Sequence, residues 1–106
     1  MAQFDVHRNP GRHAASTPFL VVVQSSQFND FRRRVAVPLV HAGGMGKVPF
    51  SSFNPTFHVE GIKVMMNPLE IVSVPVDSLG PVVESLADQG QAIATALDEL
   101  FSRAWK

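Results

Sequence analysis

Short runs of β-branched and apolar residues, broken by polar stretches rich in Gly, Pro, Asn and Ser, punctuate most of the chain before one helical stripe closes it. Gln3 to His7 alternates as QFDVH, with Phe4 and Val6 on one face, and predicts a first strand ahead of the turn-forming Arg8-Asn9-Pro10-Gly11-Arg12. Phe19 to Gln24 within PFLVVVQSS is continuously apolar, which predicts a second strand covered on both faces, central in its sheet or facing another subunit. Together the two strands predict a hairpin with a long tip.

A third strand is predicted over Arg34 to Leu39 in RRRVAVPL, and Pro38, which cannot donate a ladder hydrogen bond, predicts an edge position or a bulge there. His41 to Pro55 holds three glycines and two prolines and reads as a long loop of the kind that often carries binding. Phe57-His58-Val59 and Ile62-Lys63-Val64 flank Glu60-Gly61, a two-residue connection that predicts a second hairpin. Glu70 to Val76, containing VSVPV, reads as the last strand, Asp77 to Pro81 as a turn, and everything beyond as helix. In that helix Leu86, Ile93, Leu97, Leu100, Phe101 and Ala104 draw one apolar stripe that should pack on the sheet. Its start is open by a turn, since Asp88 with Gln91 and Ser85 with Asp88 are equally good capping boxes. Gly90 lies on the stripe, so either the helix begins near it or close packing demands it.

At 106 residues the chain fits one domain, residues 1–106, which should bury roughly two-thirds of its accessible surface on folding. It has no cysteine, so disulfides and thiolate metal sites are excluded. No leader-like pattern opens it, and its longest apolar run is far below the ~20 residues of a membrane span, which predicts a cytoplasmic protein that does not meet the bilayer. The net charge is zero, so direct nucleic-acid binding is not expected, but residues 1–48 carry +4 and residues 49–106 carry −4.

Catalytic and metal-binding chemistry finds little support. His7, His13, His41 and His58 lack metal-ligand spacing, no cofactor motif is present, and no serine sits in a GxSxG elbow. Arg32-Arg33-Arg34 could bind phosphate, though three charges beside a strand more often protect an edge. Phe101 and Trp105, four apart, share one face of the last helical turn and could enter a partner, unless Phe101 belongs to the core and only Trp105 is free.

Taken in order, VVVQSS, RRRVAVPL, the FHVEGI hairpin, VSVPV with its Leu-Gly turn, and a C-terminal helix ending in LF resemble the CcdB family of toxins over nearly the whole chain. The resemblance implies a mainly β (α+β) fold, a small antiparallel sheet of SH3-like barrel type with one C-terminal α-helix, paired as a homodimer. It further implies a non-catalytic toxin that enters the A subunit of DNA gyrase and traps the enzyme with its DNA cut. The surface used for this in the family maps to Ser25, Gln27, Phe28, Asp98, Phe101 and the tail with Trp105 and Lys106. The disordered antitoxin segment of such systems would meet the basic first loop at Arg8, Arg12 and His13. The chain departs from the family after Phe101, where Ser-Arg-Ala-Trp-Lys stands in place of Trp-Gly-Ile or Thr-Gly-Ile. Two alternatives accompany this reading. One is a messenger-RNA-cleaving toxin of MazF or Kid type, drawing on Arg32 to Arg34 with His58 or Asp77; the other is a decayed relative that binds antitoxin without poisoning gyrase.

Overall fold

A computed structural model describes residues 2–42 and 52–102. Its strands are β1 (Asp5–Arg8), β2 (Phe19–Val22), β3 (Arg33–His41), β4 (Thr56–Val59), β5 (Ile62–Met66), β6 (Val72–Pro75) and β7 (Val82–Ser85), followed by helix α1 (Gly90–Leu100). All pairings are antiparallel, in the order β4-β5-β3-β2-β1-β7, with β6 also on β3. The result is a mainly antiparallel half-barrel with one C-terminal helix, as the resemblance implied.

The β1–β2 hairpin forms as expected, with Val6 opposite Val21 and Arg8 opposite Phe19. Period-two alternation sends Phe19, Val21 and Val23 into the main core with Val37, Leu39, Phe57, Val64 and Ile93, while Leu20 and Val22 are buried on the opposite face. The second strand is thus covered on both faces, as its unbroken apolar run required.

The third strand is longer than expected and is not an edge. Ala36 to Leu39 pair with β2 on its inner side, and its outer side is shared, β6 taking Arg33 to Ala36 and β5 taking Leu39 to His41. Val35 offers its carbonyl to Val23 of the β2 side, so by alternation Pro38 turns its missing donor to the outer side, between the two outer strands. Proline is tolerated in a central strand because no partner sits opposite its nitrogen.

The region beyond Pro81 is not all helix. Val82 to Ser85 forms β7 and pairs with β1, Asp5 opposite Ser85, and a 3-10 turn at Ala87–Gln89 leads into α1 at Gly90. Neither expected capping box forms; the Ser85 hydroxyl instead accepts the Ala87 N–H at 3.2 Å, and neither the 3-10 turn nor α1 has a side-chain cap. Both readings of Gly90 hold, since the helix starts there and a β-carbon would lie 2.7 Å from a Phe4 ring carbon.

The Glu60-Gly61 turn has φ of 51° and 77°, the paired positive values of a type I′ hairpin. Nothing lies within 4 Å of where a Gly61 side chain would project, so Gly61→Ala should cost only the backbone penalty, about 1 kcal/mol. Urea denaturation checks this: the midpoint should fall with an unchanged slope.

This turn also curls the sheet. Arg8 Nη2 donates to both Glu60 carboxylate oxygens at 2.8 and 3.0 Å, and the Glu60 N–H donates to Glu84 Oε1 at 3.2 Å, drawing the β4–β5 tip against β1 and β7. The ion pair is half exposed and contributes at most about 1 kcal/mol. His7 is buried in the same region, bonded through Nδ1 to the Gly80 carbonyl at 2.9 Å; its Nε2 is buried with no hydrogen-bond partner among the described residues.

Candidate functional site

Between β2 and β3 the chain leaves the sheet in a polar loop that nevertheless carries two phenylalanines. Ser25 opens it, its hydroxyl receiving the Gln27 N–H at the long distance of 3.4 Å, and Ser26–Phe28 form one 3-10 turn. The turn points Phe28 and Phe31 the same way, with ring centroids 6.3 Å apart and planes tilted by 52°. Such tilted pairs are favourable beyond simple burial.

These rings form one wall of a groove of about 540 Å³. Val23, Val35 and Ile71 line it from the sheet side, and Leu97 and Phe101 from the end of α1. Phe28 is 46% exposed, Phe31 65% and Phe101 70%. Three neighbouring phenylalanines left this open to water form an apolar patch of the kind that marks a docking surface. Phe101 therefore does not extend the core; it sits just past the helix, its N–H bonded to the Leu97 carbonyl at 3.2 Å.

Ser25, Phe28 and Phe101, expected on one surface from segments far apart in sequence, line this one groove. Gln27 and Asp98 are exposed on the same loop and the same helix but do not line it. Trp105 and Lys106 lie outside the described residues, as does most of the Gly-rich loop expected over His41 to Pro55. Sequence reasoning missed Phe31, Ile71 and Leu97 as lining groups. The available signal was Phe31 itself, a large aromatic in an otherwise polar turn.

A second groove, of about 570 Å³, opens on the other face of the sheet. Leu20, Pro38, Val40, Val72 and Val74 give it an apolar floor, and polar groups including His13 and Glu70 rim it. Of the three basic-loop residues, His13 lines this rim, Arg12 is exposed, and Arg8 is held by Glu60.

The arginine cluster is largely committed to structure. Arg33 donates through Nε to the Ser73 hydroxyl at 2.8 Å and through Nη2 to the Ser73 carbonyl of β6; its own strand, paired on both sides, has no edge there to protect. Arg34 is buried, and its guanidinium donates to the carbonyls of Phe31, Arg33 and Asn29. The Val76 N–H bonds the Arg32 carbonyl at 2.8 Å, which brings Asp77 into the neighbourhood of Arg32, whereas His58 lies on β4 at the far side of the sheet. Among the described residues no group of three or more His, Asp or Glu side chains could hold a metal, and no helix is long and apolar enough to cross a membrane.

The chain is similar in structure to an endoribonuclease in complex with its cognate antitoxin from a mycobacterial species, with a TM-score of 0.75, 18% identity, and coverage of 100% of this chain and 99% of that one. A second mycobacterial endoribonuclease gives a TM-score of 0.70 at 18% identity, covering 100% and 95%. The Mycobacterium tuberculosis toxin MazF-mt6 gives 0.69 at 13% identity, covering 95% and 99%. At these identities the likeness is one of fold. No curated protein matches the sequence. The family model of the CcdB protein matches residues 3–102, nearly the full length of the fold just described, and the chain belongs to the CcdB family.

Proposed function

We propose that this chain is the toxin of a toxin–antitoxin pair: a homodimer that docks on the A subunit of DNA gyrase through the aromatic groove and holds the enzyme on cut DNA. The observation that carries the reading is the meeting of Ser25, Phe28 and Phe101 around one exposed apolar groove. A surface of this kind suits binding, and the protein itself catalyses nothing. Trp105 and Lys106 extend the contact, Trp105 as an aromatic anchor, and a twofold dimer presents the same patch twice to a twofold target.

Neutralisation falls to an antitoxin whose disordered, acidic segment folds onto the second groove, meeting His13 on its rim and the exposed Arg12 next to it in the chain, with the Leu20 to Val74 floor taking its apolar side chains. That the similar mycobacterial endoribonuclease is held by a cognate antitoxin supports this partnership.

The test is incubation of the purified protein with gyrase, supercoiled DNA and ATP, followed by detergent and protease treatment. Linear DNA that depends on the protein is the expected result. RNA cleavage by the purified protein, lost on replacing Arg32, would instead favour a MazF-type endoribonuclease. Neither activity, with antitoxin binding retained, would identify a relative that has lost its poison.

A further inference from the structure

In the loop that carries Phe28 and Phe31 the backbone bonds beside the two rings are local, Phe28 to Ser25, Asn29 to Ser26 and Phe31 to Phe28, and the loop rejoins the sheet where the Val76 N–H bonds the Arg32 carbonyl at 2.8 Å. Two side chains from either side of the loop tie down its middle. Gln24, beyond the end of β2, donates through Nε2 to the carbonyls of Phe28 and Arg33, both at 3.2 Å, and accepts the Val35 N–H on Oε1 at 2.9 Å. Arg34, near the start of β3, donates to the carbonyls of Asn29 (2.8 Å), Phe31 and Arg33 (2.9 Å). Between them they bind the carbonyls of Phe28, Asn29, Phe31 and Arg33, and Arg34 does so while only 5% exposed.

We infer that Gln24 and Arg34 are positioning residues for the docking surface: they hold the loop so that Phe28 and Phe31 stand as one wall of the aromatic groove, Arg34 from its buried place beneath the loop and Gln24 from the groove's own lining. A planar guanidinium with donors fixed in a fork suits this task, because it sets the relative places of several carbonyls at once, which a lysine cannot do. The consequence for binding rests on the gyrase reading above; the consequence for the loop does not.

The experiment combines a double-mutant cycle with amide hydrogen exchange. Arg34→Met, Phe31→Ala and the double variant are titrated against purified gyrase A subunit, and exchange is followed at Phe28, Asn29, Phe31 and Val35 against core amides of β2 and β3. Arg34→Met should lower affinity about tenfold, Phe31→Ala similarly, and the double variant little further, because both act through one wall. Exchange should quicken in the loop and stay slow in the core. Losses that multiply in the double variant, or loop exchange unchanged from wild type, would overturn the inference. Should Arg34→Met fail to fold, Gln24→Leu is judged by the same two measurements. Should wild type itself not bind gyrase A subunit, the gyrase reading fails, and the exchange measurement alone decides the positioning role.

Discussion

Gly80→Ala is expected to destabilise the protein by about 3 kcal/mol and lower its melting temperature by on the order of 10–20 °C. A β-carbon at Gly80 would lie 2.3 Å from the Arg8 carbonyl oxygen and 3.1 Å from its carbon, both backbone atoms that no rotamer change can move aside. The contact is tight because the two segments are stitched together. Gly80 donates its N–H to the Arg8 carbonyl at 3.1 Å, the Arg8 N–H bonds the Pro81 carbonyl at 2.9 Å, and His7 Nδ1 bonds the Gly80 carbonyl. Relieving the overlap means parting β1 from the turn that feeds β7, and losing several of these bonds together. Differential scanning calorimetry checks this, and a melting temperature within a few degrees of wild type would show that the turn can slide away at little cost.

Phe28→Ala should leave the fold nearly as stable as wild type while reducing affinity for gyrase A subunit about 30-fold, the equivalent of ~2 kcal/mol. Phe28 is 46% exposed, less than Phe31 or Phe101, and its ring braces Phe31. It is therefore the best seated of the three rings, the place where hot spots concentrate, yet it belongs to no buried cluster whose loss would unfold the chain. Titration beside a thermal melt separates the two effects. Unchanged affinity with unchanged stability would remove the aromatic wall from the docking surface.

The parts of this fold that the sequence revealed are those with a local cause. The unbroken apolar run in Phe19 to Gln24 reads as a strand covered on both faces, and Glu60-Gly61 between two short apolar runs reads as a tight hairpin, and both form. β7 was not legible because VVES adjoins the Leu86 stripe, and its strand conformation is imposed by β1, which lies at the other end of the chain. Pro38 misled for a related reason: its missing donor is harmless only because β5 and β6 divide the outer side of β3, and no local pattern reports that. For the candidate site, Ser25, Phe28 and Phe101 came from family resemblance, and the structure supplies the groove that unites them. Ile71 and Leu97 join it from separate elements, and Arg34, which reads as one more surface charge in a basic run, is buried beneath the loop.

The pairing of β1 with β7 also governs when the molecule comes into being. Asp5 meets Ser85, Leu86 donates its N–H to the Phe4 carbonyl, and the Phe4 ring packs under Gly90 of α1, so the first strand must wait for nearly the last residues before it has both neighbours and a cover. Closing a loop of that span makes folding slow and late, and a chain interrupted in synthesis is left with an open strand edge and an uncovered core. The aromatic groove shares this dependence, because Leu97 and Phe101 at the end of α1 line it, and a chain that stops short of the helix lacks that side of the surface.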